Sequence, residues 1–151
     1  MNKKGKYTYD WPRPMVTVDA AVFAFSGDRT KLLLINRGNK PYKGMWALPG
    51  GFIEMDEELE DAVVRELAEE TGLTDVPLEQ LHTFGTIGRD PRGRMITIVF
   101  MGVIKENQAK IKAGDDAAQA RWFDIEELPE NMAFDHHDVL KYAIKKLAKV
   151  K

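Results

Sequence analysis

One segment carries both an apolar stripe and an acidic arc, and only a helix keeps the two apart. Leu59, Val63 and Leu67, with Ala62 beside them, recur at three- and four-residue intervals, the period of an α-helix with one face in a core. At 100° per residue, Glu66, Glu69 and Glu70 fall within an arc of about 100° on that helix, next to the stripe. Pro49, Gly50 and Gly51 turn the chain ahead of it, and Gly72 offers a left-handed cap behind it. Three carboxylates bordering an interior repel one another, so a cation should hold them. A hard divalent ion such as Mg²⁺ or Mn²⁺ suits an all-oxygen set and retains waters for a phosphate substrate. The bland alternative is a solvated acidic face braced by Arg65 and Glu69 at i, i+4.

The 151-residue chain, 44% hydrophobic, suits one domain with a proper core and leaves no room for a second. Residues 1–14 read as an extended arm, polar and tyrosine-bearing, ending in Pro12 and Pro14, and residues 15–151 as the domain. Alternating or β-branched runs predict strands over residues 16–25, 32–35, 46–48, 81–88, 95–104 and 119–123. Helices are expected over residues 59–71 and 137–150, with a helical turn at 125–128. Mixed strands with two helices give an α/β sandwich with the sheet between the helices. Phe23, Phe25 and Phe100 stand at strand spacing and read as core.

A net charge of −2, from 22 basic and 24 acidic residues, gives no broad basic face, so a nucleic acid polymer is an unfavoured partner. There is no cysteine, no apolar run of membrane-spanning length and no signal-like start, so no membrane association and a cytoplasmic location are the expectations. A homodimer exchanging the N-terminal arm is conjectured.

From Gly51 the spacing runs through Glu57, Arg65, Glu66, Leu67, Glu69, Glu70, Gly72 and Leu73, and this pattern resembles the box of the Nudix hydrolases. That family cleaves nucleoside diphosphates linked to another group, X, and the resemblance, covering roughly residues 16–128, implies an α/β/α sandwich with a mixed sheet. It also implies that Glu66, Glu69, Glu70 and the backbone carbonyl of Gly51 ligate the metal, while Arg65 and Glu57 form a supporting pair. The family's general base varies in position. Glu66 is one candidate and Asp116, in an acidic pair with Asp115, is the other, although a loop Asp pair is ordinarily a solvated turn.

Substrate choice must lie outside the box. Arg89 and Arg94 belong to a compact basic loop, and Phe134 and His136 precede the last helix. Both segments resemble a bacterial branch of ADP-ribose pyrophosphatases and the ligand domains of regulators of NAD metabolism. Arg guanidinium groups can grip phosphate in a fork, and Trp46 or Phe134 could stack on adenine; for each Arg the plain alternative is a surface charge. Arg37 stands where the family often places a phosphate-binding arginine. Adjacent His136 and His137 point about 100° apart on a helix and are not read as metal ligands; capping or a substrate hydrogen bond suits His136 better. The expectation is a Mg²⁺-dependent enzyme splitting ADP-ribose into AMP and ribose 5-phosphate. The alternatives are a sanitising nucleoside triphosphate pyrophosphohydrolase and a non-catalytic ADP-ribose sensor. The intact box counts against a sensor, which, in a chain ending at Lys151, would need a separate protein partner.

Overall fold

The computed structural model describes residues 7–111 and 117–150. Residues 7–14 carry no helix or strand, and β1 (Met15–Ser26) begins directly after them. It is followed by β2 (Arg29–Arg37), β3 (Trp46–Ala47), β4 (Gly50–Phe52), α1 (Leu59–Thr71), β5 (Glu79–Phe84), β6 (Met95–Lys105), β7 (Ala117–Asp124) and α2 (His136–Val150).

The seven strands form one mixed sheet in which β1 and β6 run parallel and every other pairing is antiparallel. Alternate residues of β1 serve two cores. Ala21 and Phe23 pack with Val139, Leu140, Ala143 and Leu147 of α2, while Val18, Ala20, Val22 and Ala24 pack with Ala62, Val63 and Leu67 of α1. A strand covered on both faces must be apolar at nearly every position, which explains the unbroken run in β1. This is the α/β/α sandwich, and Phe23 and Phe100 lie in its interior. α1 ends as expected, with Gly72 at φ 73° and its N–H bonded to the Ala68 carbonyl.

Two local expectations are corrected. Ile125 to Leu128 form no helix; the Glu127 N–H reaches the Asp124 carbonyl at 2.9 Å in a simple turn. Gly50 and Gly51, expected as a turn alone, are strand residues of β4, with Asp19 opposite Gly50 and Val18 opposite Gly51 on β1. β1 pairs with β2 only along its final residues, from Phe23 to Ser26, and with β4 near its start. Where β2 leaves β1, β4 takes its place and presents the two glycines to α1. The divergence of two strands thus creates the position of the site.

Candidate active site

Glu66 and Glu70 face β4 from α1. Gly50 donates its backbone N–H to Glu70 Oε1 at 2.6 Å, and a Cβ on Gly51 would lie 2.6 Å from the Glu66 carboxylate carbon. A Cβ on Gly50 would overlap Asp19 Oδ1 and the Val18 carbonyl. Only glycine permits both approaches, and since neither residue has a positive φ it is packing that requires the pair.

Arg65 fastens this edge. It forks onto Glu57, with Nη2 2.6 Å from Oε1 and Nε 3.0 Å from Oε2, and donates from Nη2 to the Phe52 carbonyl at 3.1 Å. Its Nη1 bridges Glu66 at 2.8 Å and Glu69 at 3.3 Å. Glu57 in turn accepts the Glu54 N–H, and its carboxyl is held below the usual range chiefly by the hydrogen bond from Arg65. One guanidinium thereby ties the loop after β4 to the helix and supplies part of the positive charge that the acidic arc demands.

The three glutamates lie at different depths: Glu70 is buried, the Glu66 side chain is 14% exposed and the Glu69 side chain 55%. Burial pushes Glu70 up to about 8, with Glu66 and Asp19 adding to the shift and the Gly50 N–H opposing it. Among the described residues no three His, Asp or Glu side chains are already gathered around a metal position. The donor set nevertheless fits a hard divalent ion. It is all oxygen, its charge is in surplus beside Glu70, and the missing Cβ of Gly51 leaves backbone open against Glu66. Glu66, Glu69, Glu70 and the Gly51 carbonyl would hold the ion, with Arg65 giving up part of its contact. Asp116 lies outside the described residues.

The expected substrate residues divide. Arg37 is half-buried, donates from Nε to the Pro41 carbonyl at 2.7 Å, and lies 4.9 Å from the Phe134 ring centre. Its pKa is lowered by burial and by neighbouring Arg92, while Glu70, Asp90 and Asp19 pull the other way. Phe134 is held at φ 53° with its ring against Tyr42, itself at φ 61°, at 4.9 Å. Non-glycine residues in this conformation cost energy and concentrate at functional sites.

Three expectations fail and a fourth, Arg94, gains no support. Trp46 is 9% exposed and packs edge-on to Phe123 at 4.7 Å inside the α2-side core, so its face is unavailable to a base. Arg89 is committed to Asp135 through a fork of 3.0 and 2.8 Å, and its side chain is 3% exposed; it braces the loop instead of meeting a ligand. Arg94 donates from Nη1 to the Gly85 carbonyl at 2.6 Å, and no described contact joins it to the carboxylates or to Phe134. His136 is buried: its Nδ1 accepts the Leu48 N–H at 3.0 Å and its Nε2 stands 3.9 Å from Asp19. An accepting Nδ1 requires the neutral ring protonated at Nε2, consistent with a pKa lowered by burial. His136 fixes the chain just before Gly50 and has no open side for substrate.

Sequence reasoning missed Asp19, Arg92, Phe52 and Tyr42. Asp19, buried and accepting from Thr97 Oγ1 at 2.5 Å, left a signal: it is the sole charged residue in the run from Met15 to Ser26. Arg92 left none that distinguished it from its neighbours Arg89 and Arg94.

The chain is similar to known proteins. The NUDIX domain model matches residues 15–143. An ADP-ribose pyrophosphatase of Methanocaldococcus jannaschii is 45% identical over 128 residues, 85% of this chain and 72% of that protein. The ADPR responsive transcriptional repressor NtrR of Acinetobacter baylyi is 39% identical over 91% of this chain, which spans only 56% of the repressor. Among solved structures, the NUDIX domain of Shewanella oneidensis NrtR complexed with ADP ribose superimposes with a TM-score of 0.83 at 32% identity, covering 94% of each chain. With the family model spanning the sheet, the glycine edge and α1 together, the chain belongs to the NUDIX family.

Proposed function

We propose that this protein is a Nudix pyrophosphohydrolase that cleaves ADP-ribose to AMP and ribose 5-phosphate, using Mg²⁺. The observation that carries this is the glycine edge pressed against Glu66 and Glu70, with the positive charge of Arg37 a short distance away. Support for the substrate comes from the pyrophosphatase relative and the ADP-ribose-bound neighbour. Nudix hydrolases generally use divalent metals; such an ion, when bound, draws charge from the bridging phosphate oxygens. Glu66, beside Gly51, takes the proton from an attacking water, whose oxygen bonds to phosphorus as the anhydride P–O bond breaks. Glu70 and Arg65 keep β4, the Phe52 carbonyl and α1 in register. Arg37 holds phosphate oxygens.

The deciding experiment is a substrate panel of ADP-ribose, other ADP-sugars, NADH, diadenosine polyphosphates and all nucleoside triphosphates, with Mg²⁺ or Mn²⁺. ADP-ribose should show the highest kcat/KM. A far higher value for a triphosphate would select the sanitising alternative, and tight ADP-ribose binding without turnover would select the sensor that the repressor relative suggests. Asp116→Asn should retain most activity while Glu66→Gln does not. Among the described residues no helix is long and apolar enough to cross a membrane. We assign the enzyme to the cytoplasm, with residues 15–151 as one unit. The arm bearing Trp11, 78% exposed, is where a homodimer contact should be sought by light scattering.

A further inference from the structure

Of the three arginines in the loop after β5, only Arg92 reaches the aromatic rim of the site. Its guanidinium lies 5.1 Å from the ring centre of Phe52 and 5.2 Å from that of Phe134. Phe52 directly follows Gly51 in β4 and is 39% exposed; Phe134 carries Arg37 at 4.9 Å as well. Two cations therefore share one ring beside the carboxylates, and burial followed by the charge of Arg92 lowers the pKa of Arg37.

Packing holds this repulsive pair together. Asp90, buried at 5% exposure, accepts from Arg92 Nε at 3.0 Å, from Nη2 at 2.8 Å and from its backbone N–H at 2.9 Å. Arg37 is aligned through Nε alone, and its terminal nitrogens make no hydrogen bond among the described residues. Arg89 has a similar fork but is sealed at 3% exposure, whereas the Arg92 side chain is 32% exposed and keeps Nη1 for a ligand. Guanidinium groups fixed in this way lose little freedom on meeting an anion and match phosphate oxygens in a fork.

We propose that Arg92, held against Phe52 and Phe134 and paired across Phe134 with Arg37, is a substrate-binding residue that grips the diphosphate of the nucleotide substrate. The assignment deepens the reaction proposed above and rests on it for the identity of the substrate, but the ligand chemistry it requires is only a nucleoside diphosphate. It places the anion contact of this loop on Arg92, with Arg89 as the buried brace behind it.

The test is calorimetric titration of α,β-methylene-ADP, a diphosphate that cannot be cleaved between its phosphorus atoms, in Mg²⁺ buffer. The proteins are the wild type, Arg92→Ala, Arg92→Lys, Arg37→Ala and, as a remote control, Arg29→Ala. Loss of a charge-assisted contact should raise Kd about 10-fold or more in Arg92→Ala and in Arg37→Ala. Arg92→Lys keeps the charge but not the planar fork, so it should weaken binding by at least about threefold. Arg29→Ala should match the wild type. With ADP-ribose as substrate, KM should rise in parallel and kcat stay within about threefold. Thermal melts identify folded variants, and Arg92→Lys serves if Arg92→Ala does not fold. A folded Arg92 variant with wild-type affinity for the probe overturns the proposal, as does a wild type that does not bind it. Arg92-dependent binding in a wild type that leaves ADP-ribose intact would sink the substrate reading and leave this inference standing.

Discussion

The acidic edge and the aromatic-cationic rim touch at Gly51 and Phe52, yet they are built in opposite ways. The acidic edge comes almost entirely from residues 50–72, where one helix and the strand before it set every spacing. Its principal fork, Arg65 to Glu57, spans eight residues. The rim takes Arg37 from the end of β2, Tyr42 from the loop around Pro41, Phe52 from β4, Arg92 from the loop before β6, and Phe134 from the approach to α2. Its principal brace, Arg89 to Asp135, spans 46 residues. A site written into one helix depends on local geometry, whereas one gathered from several loops depends on buried contacts that have no ligand role.

The largest effect expected from this contrast is on stability. Arg89→Ala leaves Asp135 without its partner in a site where the arginine is sealed from water, and breaking such a pair costs about 3–5 kcal/mol. Arg65→Ala, at a guanidinium that water reaches, should cost under about 2 kcal/mol. Urea unfolding with unchanged m-values would measure both. Equal costs would erase the distinction between a local and a distant brace.

The second test addresses the acidic edge through rate. Glu70→Gln preserves an acceptor for the Gly50 N–H but removes the charge, and should lower kcat by at least ~10²-fold, about 2.7 kcal/mol of barrier, with the fold intact. Normal turnover at saturating substrate and Mg²⁺ would remove Glu70 from the metal set.

Protonation gives a third and smaller signal. Glu70 titrates near 8 when folded and near 4.5 when unfolded, so the native state holds a proton that the unfolded chain releases. Its stabilising share is complete below about 4.5 and is lost as pH rises toward 8. His136 has the opposite sign: buried and neutral, with its pKa below 6.5, it favours folding above 6.5 and loses that contribution as pH falls. Between pH 6.5 and 8 the Glu70 effect stands alone of the two, and metal-free protein should lose stability at up to about 1.4 kcal/mol per pH unit. Glu70→Gln should flatten the slope. Saturating Mg²⁺ should oppose it, because the ion binds the ionised carboxylate. A metal-free slope that survives Glu70→Gln would assign the titration elsewhere.

The same contrast explains what could be read from the sequence. Helix period and cap residues gave α1 to the residue, and the apolar run gave β1, because both depend on neighbours close along the chain. The pairing of β4 with β1 was not legible: Gly50 and Gly51 look like a turn, and only the departure of β2 makes room for them as a strand. Trp46 and His136 were misplaced for a related reason. An aromatic or imidazole ring has the same sequence signature whether it faces a ligand or a core, and packing against Phe123 and hydrogen bonding to Leu48 settle the matter.

Arg94 supplies the smallest effect and the sharpest test of the rim. In the sequence it is as good a phosphate ligand as Arg92, two residues away on the same basic loop. In the fold it begins the approach to β6, where its carbonyl accepts the Met15 N–H at 2.9 Å and its guanidinium meets the Gly85 carbonyl. A side-chain hydrogen bond to a neutral carbonyl at an exposed position is worth at most about 1–1.5 kcal/mol, and the backbone contact to Met15 survives truncation. Arg94→Ala should therefore leave KM for ADP-ribose and the affinity for α,β-methylene-ADP unchanged, and lower stability by no more than that amount in urea. A 10-fold rise in KM with normal stability would return Arg94 to the substrate and show that the basic loop acts as a charged patch. Unchanged kinetics beside a weakened Arg92→Lys would instead show that position on the aromatic rim, and not charge on the loop, selects the arginine that binds.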